Sequence, residues 1–173
     1  GGNWLRNTNG TFTHNDRLVT FTGTTDQTIT VAGGGIETFG LLQVNKTAGE
    51  LRLSSSPATD VSVAATAGTA LLQMNNVGAL NLQGQTLNIA GTAASSGISV
   101  TGPGVRTVLS SPGTGFVNFS SAAANREITS TGGGTLTFGS SVVVNLNTAV
   151  NFGSSISTIQ GQLRMNAGGS VTA

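Results

Sequence analysis

The chain has 173 residues, 26 of them Gly, no Cys, and only 8% charged side chains, which leave a net charge of +1. This excludes a disulfide framework and a thiolate metal site, and the seven scattered cations (Arg6, Arg17, Lys46, Arg52, Arg106, Arg126, Arg164) form no cluster of the kind that nucleic acid requires. Hydrophobic residues make up 37% of the chain in short runs, too many for a charge-repelled disordered chain and none long enough, at about 18 residues, to span a membrane.

Strand-like pieces follow one another along the chain: 17–23, 27–33, 37–45, 50–54, 60–65, 70–75, 79–84, 85–91, 97–102, 105–111, 116–121, 134–139, 141–147, 149–154 and 157–166. Most alternate apolar and polar side chains, the two-residue period of a half-buried strand. Thr, Val, Ile, Leu and Phe dominate them, and Gly, Asn, Ser and Pro fill the gaps. The Ala-rich stretches 62–72 and 120–127 are the nearest approach to a helix, but both are short and broken. The expected class is all-β.

The chain also repeats itself. Val19 and Phe21 recur as Val117 and Phe119, and Ile29, Gly33 and Phe39 recur as Ile128, Gly132 and Phe138, so segments 17–45 and 115–145 form a degenerate internal repeat. A shorter echo joins LLQVNKTAGELRL (41–53) to LLQMNNVGALNL (71–82). Many short strands, separated by one or two small residues and without an Asn-Gly or Asp-Gly turn between consecutive ones, suit a coil that turns corners better than a sandwich of hairpins. Repetition of strand-like units points to a single β-solenoid over 1–173, in which each rung stacks on the next. At roughly 20 residues per coil the chain would make about eight rungs, and the long repeat about five. The expected inward core is Phe21, Ile29, Phe39, Val44, Phe119, Ile128, Phe138 and Val144, stacking like on like. The expected corners are Gly33, Gly34, Gly35, Gly132, Gly133 and Gly134, where positive φ costs glycine least, with Asn45, Asn75, Asn145 and Asn166.

Segments GNW (2–4), NGTF (9–12), 19–53 and LNLQGQTLNIAG (80–91) resemble the repetitive β-solenoid regions of very large cell-surface proteins of Bacteroidota, including gliding-motility-type adhesins. The likeness is looser at 117–145, where Ser121 and Asn125 stand in place of Gly23 and Gln27. It implies export to the cell surface, a right-handed parallel β-helix, and an adhesive or structural role. Both ends keep the strand-and-glycine rhythm, so we expect a segment of a longer repetitive chain whose partners are further rungs or copies stacked end to end, with surface glycans as candidate ligands.

Little in the sequence suggests chemistry. His14, Asp16 and Arg17 come together in one polar stretch, which reads as a turn before the next strand. The six acids (Asp16, Asp26, Glu37, Glu50, Asp60, Glu127) are dispersed, although stacking would be able to gather Asp26, Glu50 and Asp60 as glycosidic cleavage requires. Glu50 and Arg52 share one side of a strand as a surface ion pair. The triple glycines are followed by neither a P-loop lysine nor a helix. Alternate threonines (Thr20 and Thr22, Thr28 and Thr30, Thr129 and Thr131, Thr135 and Thr137) raise the alternative of an ice-binding face. Trp4 is expected in a linker or packed under the first rung. No catalytic, cofactor-binding or metal-binding residue is assigned. The expected function is a non-enzymatic structural and adhesive solenoid, with a carbohydrate-active β-helix as the rival.

Overall fold

The structure is a computed structural model that describes residues 2–68, 70–92, 96–120, 126–152 and 157–172. The described residues form twenty strands and no helix, so no helix is long and apolar enough to cross a membrane. An approach strand, β1 (Trp4–Arg6), precedes a first turn of β2 (Leu18–Gly23), β3 (Gln27–Val31) and β4 (Gly35–Phe39). The second turn is β5 (Leu41–Lys46), β6 (Glu50–Leu53) and β7 (Thr59–Val63), and the third is β8 (Ala70–Asn75), β9 (Ala79–Asn81) and β10 (Thr86–Ile89). Then come β11 (Ser96–Thr101), β12 (Gly104–Leu109) and β13 (Gly115–Phe119), followed by β14 (Arg126–Thr131), β15 (Gly134–Phe138) and β16 (Val142–Leu146). The last turn is β17 (Ala149–Asn151), β18 (Ser157–Ile159) and β19 (Gln162–Met165), with β20 (Ser170–Thr172) beginning another.

Every third strand pairs in parallel, which makes the fold a parallel β-solenoid with three faces. Face A runs β1-β3-β6-β9-β12-β15-β18, face B β2-β5-β8-β11-β14-β17-β20, and face C β4-β7-β10-β13-β16-β19. The six strands of face C count six turns, not eight. The reason is rung length: on face B one turn advances from 21 residues (Ala149 to Ser170) up to 31 (Ser96 to Glu127), always more than 20.

The two sequence repeats have different structural meanings. The short echo is one turn: Leu42 pairs with Leu72, Val44 with Met74 and Leu51 with Leu80. The long repeat is not a whole number of turns. It carries β2 onto β13, β3 onto β14 and β4 onto β15, eleven strands along the chain and therefore onto a different face. Phe21 lies on face B but Phe119 on face C, and Phe39 lies on face C but Phe138 on face A. What recurs is a strand–corner–strand module that serves any face.

Phe21, Ile29, Phe39, Val44, Phe119, Ile128, Phe138 and Val144 all lie in the continuous buried core. Stacking is like on like only in part: Ile128 stacks on Ile98 and Val144 on Val117, but no phenylalanine stacks on another. One inward column of face C reads Phe39, Val63, Ile89, Phe119, Leu146 and Met165, so each Phe is followed by smaller side chains. Alternating sizes lets neighbouring faces interdigitate at interior density.

The corners differ from expectation in part. Gly33, Gly34, Gly35, Gly132 and Gly133 have φ between 77° and 116°. Gly134 does not. It opens β15, and a Cβ there would collide with the Gly102 carbonyl of the corner one turn away, so close stacking rather than positive φ requires glycine. Asn45, Asn75 and Asn145 are not corner residues. They stand inside or at the end of β5, β8 and β16, in the outward phase, and Asn76 takes the left-handed conformation (φ 58°) instead. Asn166 follows β19 in the open and donates to Asn147 Oδ1 at 2.7 Å.

Phe39→Ala and Phe119→Ala should each destabilise the fold by about 3–5 kcal/mol. Phe116→Ala, outward and half-buried on face C, should cost about 1 kcal/mol or less. Chemical denaturation of the three variants measures the contrast, and equal losses would contradict the inward–outward assignment.

Candidate functional site

Among the described residues a developed site lies at the N-terminal mouth. After β1 pairs beneath β3, with Trp4 opposite Ile29, the chain turns back and lays Phe12 under the first turn. Trp4, Phe12 and Phe39 pack with centroid separations of 4.8 to 5.9 Å, and Phe21 meets Phe39 edge-on at 6.5 Å. Trp4 therefore lies under the first rung, not in a linker, and the mouth is closed by an aromatic plug. Glu37 occupies an inward position of β4, in the column of Val61, and is only 2% exposed. Its Oε2 accepts the Trp4 indole N–H at 2.8 Å and the Arg6 Nε–H at 3.0 Å, while Oε1 accepts the Thr38 N–H at 3.2 Å. Arg6 also donates to the carbonyls of Gly10 and Ile36. Burying a carboxylate is tolerable only with such partners. The cap strand and β4 leave between them an open groove of about 240 Å³, whose walls include Arg6, Thr11, Phe12, Ile36, Glu37 and Thr38. Glu37 sits two residues before Phe39, so the strand period alone places it inward. A charged residue in that phase was the signal of the site.

His14 and Asp16 do form a turn. Asn15 and Asp16 have φ of 44° and 55°, and His14 Nδ1 accepts the Asp16 N–H at 3.0 Å. The Asp16 carboxylate then accepts the Thr66 N–H and hydroxyl, strapping the approach segment to the corner after β7. These bonds hold its carboxyl below the usual aspartate range. Among the described residues no group of three His, Cys, Asp or Glu side chains is placed to hold a metal ion.

The other acids do not converge on a cleft. Asp26 and Glu50 gather on Arg52, at 2.6 and 2.8 Å, at a face-A corner, and the Glu50 bond raises the Arg52 pKa. Asp60 lies on face C, where it accepts the Thr86 N–H at 2.7 Å. Stacking thus joins two of the three expected acids and ties both into a surface ion-pair network.

Two cations are buried where sequence reasoning saw only scattered charge. Lys46 is fully buried at the end of β5. Its Nζ donates to the Thr25 carbonyl at 2.6 Å and to Gln27 Oε1 at 3.0 Å. Arg106, 1% exposed in β12, donates to the carbonyls of Thr101, Pro103 and Gly104. Both reach into corners between faces B and A and satisfy carbonyls that the tight bend turns inward. Burial lowers both pKa values, and the charge of Asp26 partly offsets the effect at Lys46.

The outer faces are polar ladders. On face C, Asn145 donates to Asn118 and Asn118 to Asn88, at 2.8 and 3.0 Å. On face B, Thr20 bonds Gln43 and Gln43 bonds Gln73 in one column, and the next column reads Thr22, Asn45, Asn75, Thr101 and Thr131. The Thr pairs are divided between faces: Thr20, Thr22, Thr129 and Thr131 on face B, Thr28, Thr30, Thr135 and Thr137 on face A.

Comparison with protein-family models, with curated proteins and with solved structures finds no match to this chain.

Two pH effects follow from the strap and the buried lysine. Asp16 has a folded pKa below its unfolded value, so its stabilisation is present above about pH 3.8 and is lost as pH falls through the folded pKa. Asp16→Ala should destabilise at neutral pH and match the wild type in acid. Lys46 has a folded pKa below 10.5, so the unfolded chain binds more protons between the two values and stability rises with pH. The stability of the wild type relative to Lys46→Met should therefore improve from neutral pH towards 10.5. Denaturant midpoints across pH test both.

Proposed function

We propose that the chain is a rigid, non-enzymatic segment of an exported bacterial surface adhesin or extracellular filament. The observation that carries this reading is the unbroken parallel stack of six turns, clothed in nearly uncharged Asn, Gln, Ser and Thr ladders. At about 4.8 Å per turn the stack spans roughly 30 Å. Its mechanism is mechanical: backbone ladders keep the segment straight, and the amide and hydroxyl rows offer many weak polar contacts to glycans and other surfaces. The resemblance of residues 2–53 and 80–91 to Bacteroidota surface repeats supports the same role and an extracellular location.

A cleaving enzyme fits less well, since Asp26 and Glu50 are engaged with Arg52 and Glu37 with Trp4 and Arg6. An ice-binding face fits less well too, because Gln43, Asn45, Gln73 and Asn75 interrupt the threonines of face B.

Beads carrying the protein should adhere to glycan-coated surfaces, and incubation with a polysaccharide panel should release no new reducing or unsaturated chain ends. Release of such ends, abolished by Glu37→Gln or Glu50→Gln, would overturn the non-enzymatic reading.

A further inference from the structure

The groove at the N-terminal mouth has more hydrogen-bonding capacity than the cap uses. Three of the five Arg6 N–H groups are spent, on Glu37, Gly10 and Ile36, which leaves two. Glu37 is only 2% exposed, and both its carboxylate oxygens already accept hydrogen bonds, so it belongs to the support of the groove. Thr11 and Thr38 line the groove, and neither hydroxyl has a hydrogen-bond partner among the described residues. The remaining wall is apolar: Phe12 on one side and Ile36, 52% exposed, on the other. The ion pair of Arg6 and Glu37 cancels the local charge, so neither an anion nor a cation is favoured. The volume of about 240 Å³ lies below the roughly 300–1,000 Å³ of pockets that enclose drug-sized ligands. The groove therefore suits a single ring with hydroxyls on its edge and C–H groups on its faces.

We propose that this groove binds one neutral pyranose, at the end or a branch of a glycan. Ring hydroxyls accept from Arg6, others pair with Thr11 and Thr38, and the apolar ring surface rests against Phe12 and Ile36. The proposal rests on the adhesive reading above and gives it a specific contact. The cap provides rigidity: Glu37 is fixed by the Trp4 indole and Arg6, and both are held by the pairing of β1 with β3. Fixed polar groups bind with little ordering cost.

The test uses Trp4, the only tryptophan in a chain without tyrosine, whose indole N–H donates to the Glu37 carboxylate in the groove wall. Titration of the intact chain with methyl glycosides of neutral hexoses should give a saturable change in Trp4 emission and in its indole N–H resonance. Thr38→Val, which removes one hydroxyl, should weaken the response about tenfold, the worth of roughly one hydrogen bond. Thr11→Val should act similarly. Asn118→Ala, remote on face C, should leave it unchanged. Absence of a saturable response to every neutral pyranose, or an unaltered response in both threonine variants, overturns the proposal. Bead adhesion keeps the two readings apart: adhesion with no titration removes the groove alone, and titration with no adhesion removes the adhesive role alone.

Discussion

Everything in this fold depends on the parallel pairing of each strand with the strand one turn before and one turn after it. That pairing satisfies the backbone of every interior rung and forces inward side chains into columns. A column is a strict environment: the residue at a given height must fit the pair above and below and the two facing columns. Apolar residues of any shape satisfy it if neighbours compensate, as Phe39, Val63 and Ile89 do on face C. The corners then carry the remaining difficulty, because tight bends turn carbonyls inward. Glycine solves the conformational part. Lys46 and Arg106 solve the hydrogen-bonding part, with long stems that fill space and heads that collect carbonyls.

This explains which features were legible in the sequence. Period-two alternation identified strands and their inward phase, so the core residues were readable one by one. Rung length was not, because corners differ in size: the connection between β7 and β8 is longer than the one between β4 and β5. The long repeat misled about stacking for the same reason. The match of residues 17–45 to 115–145 records that the same module was used twice, and it is silent about how many corners lie between. Only the echo of 41–53 in 71–82 coincided with a true turn. The asparagines were misplaced because Asn serves two physical needs, a tolerated left-handed bend and a side-chain amide ladder, and the sequence does not separate them. Here Asn76 takes the first and Asn88, Asn118 and Asn145 the second.

The buried charges were the least legible part. A lysine at the end of a strand and an arginine among glycines resemble surface residues until three-dimensional corners are drawn around them. Glu37 passed among the dispersed acids, although its phase with Phe39 on β4 is inward. An inward acid at an interior rung would be a serious defect, but at the mouth it finds donors from a segment that is not itself a rung. Trp4 and Arg6 supply them, and the acid in turn fixes the two side chains of the cap.

The two ends of the stack are thus physically unequal. At the N-terminal mouth the aromatic plug and the Arg6–Glu37 pair cover the inward columns, while β1, β2 and β4 are edge strands of their sheets. At the other end Leu163 and Met165 continue the inward columns of Val144 and Leu146, yet are 40% and 65% exposed. Among the described residues β18, β19 and β20 are the edge strands of their sheets at that end. At the closed mouth a further rung would have to displace Trp4 and Phe12 and strand the Glu37 carboxylate without its donors. The cap that covers the columns there also walls the groove, so covering the columns and forming the groove are one structural event.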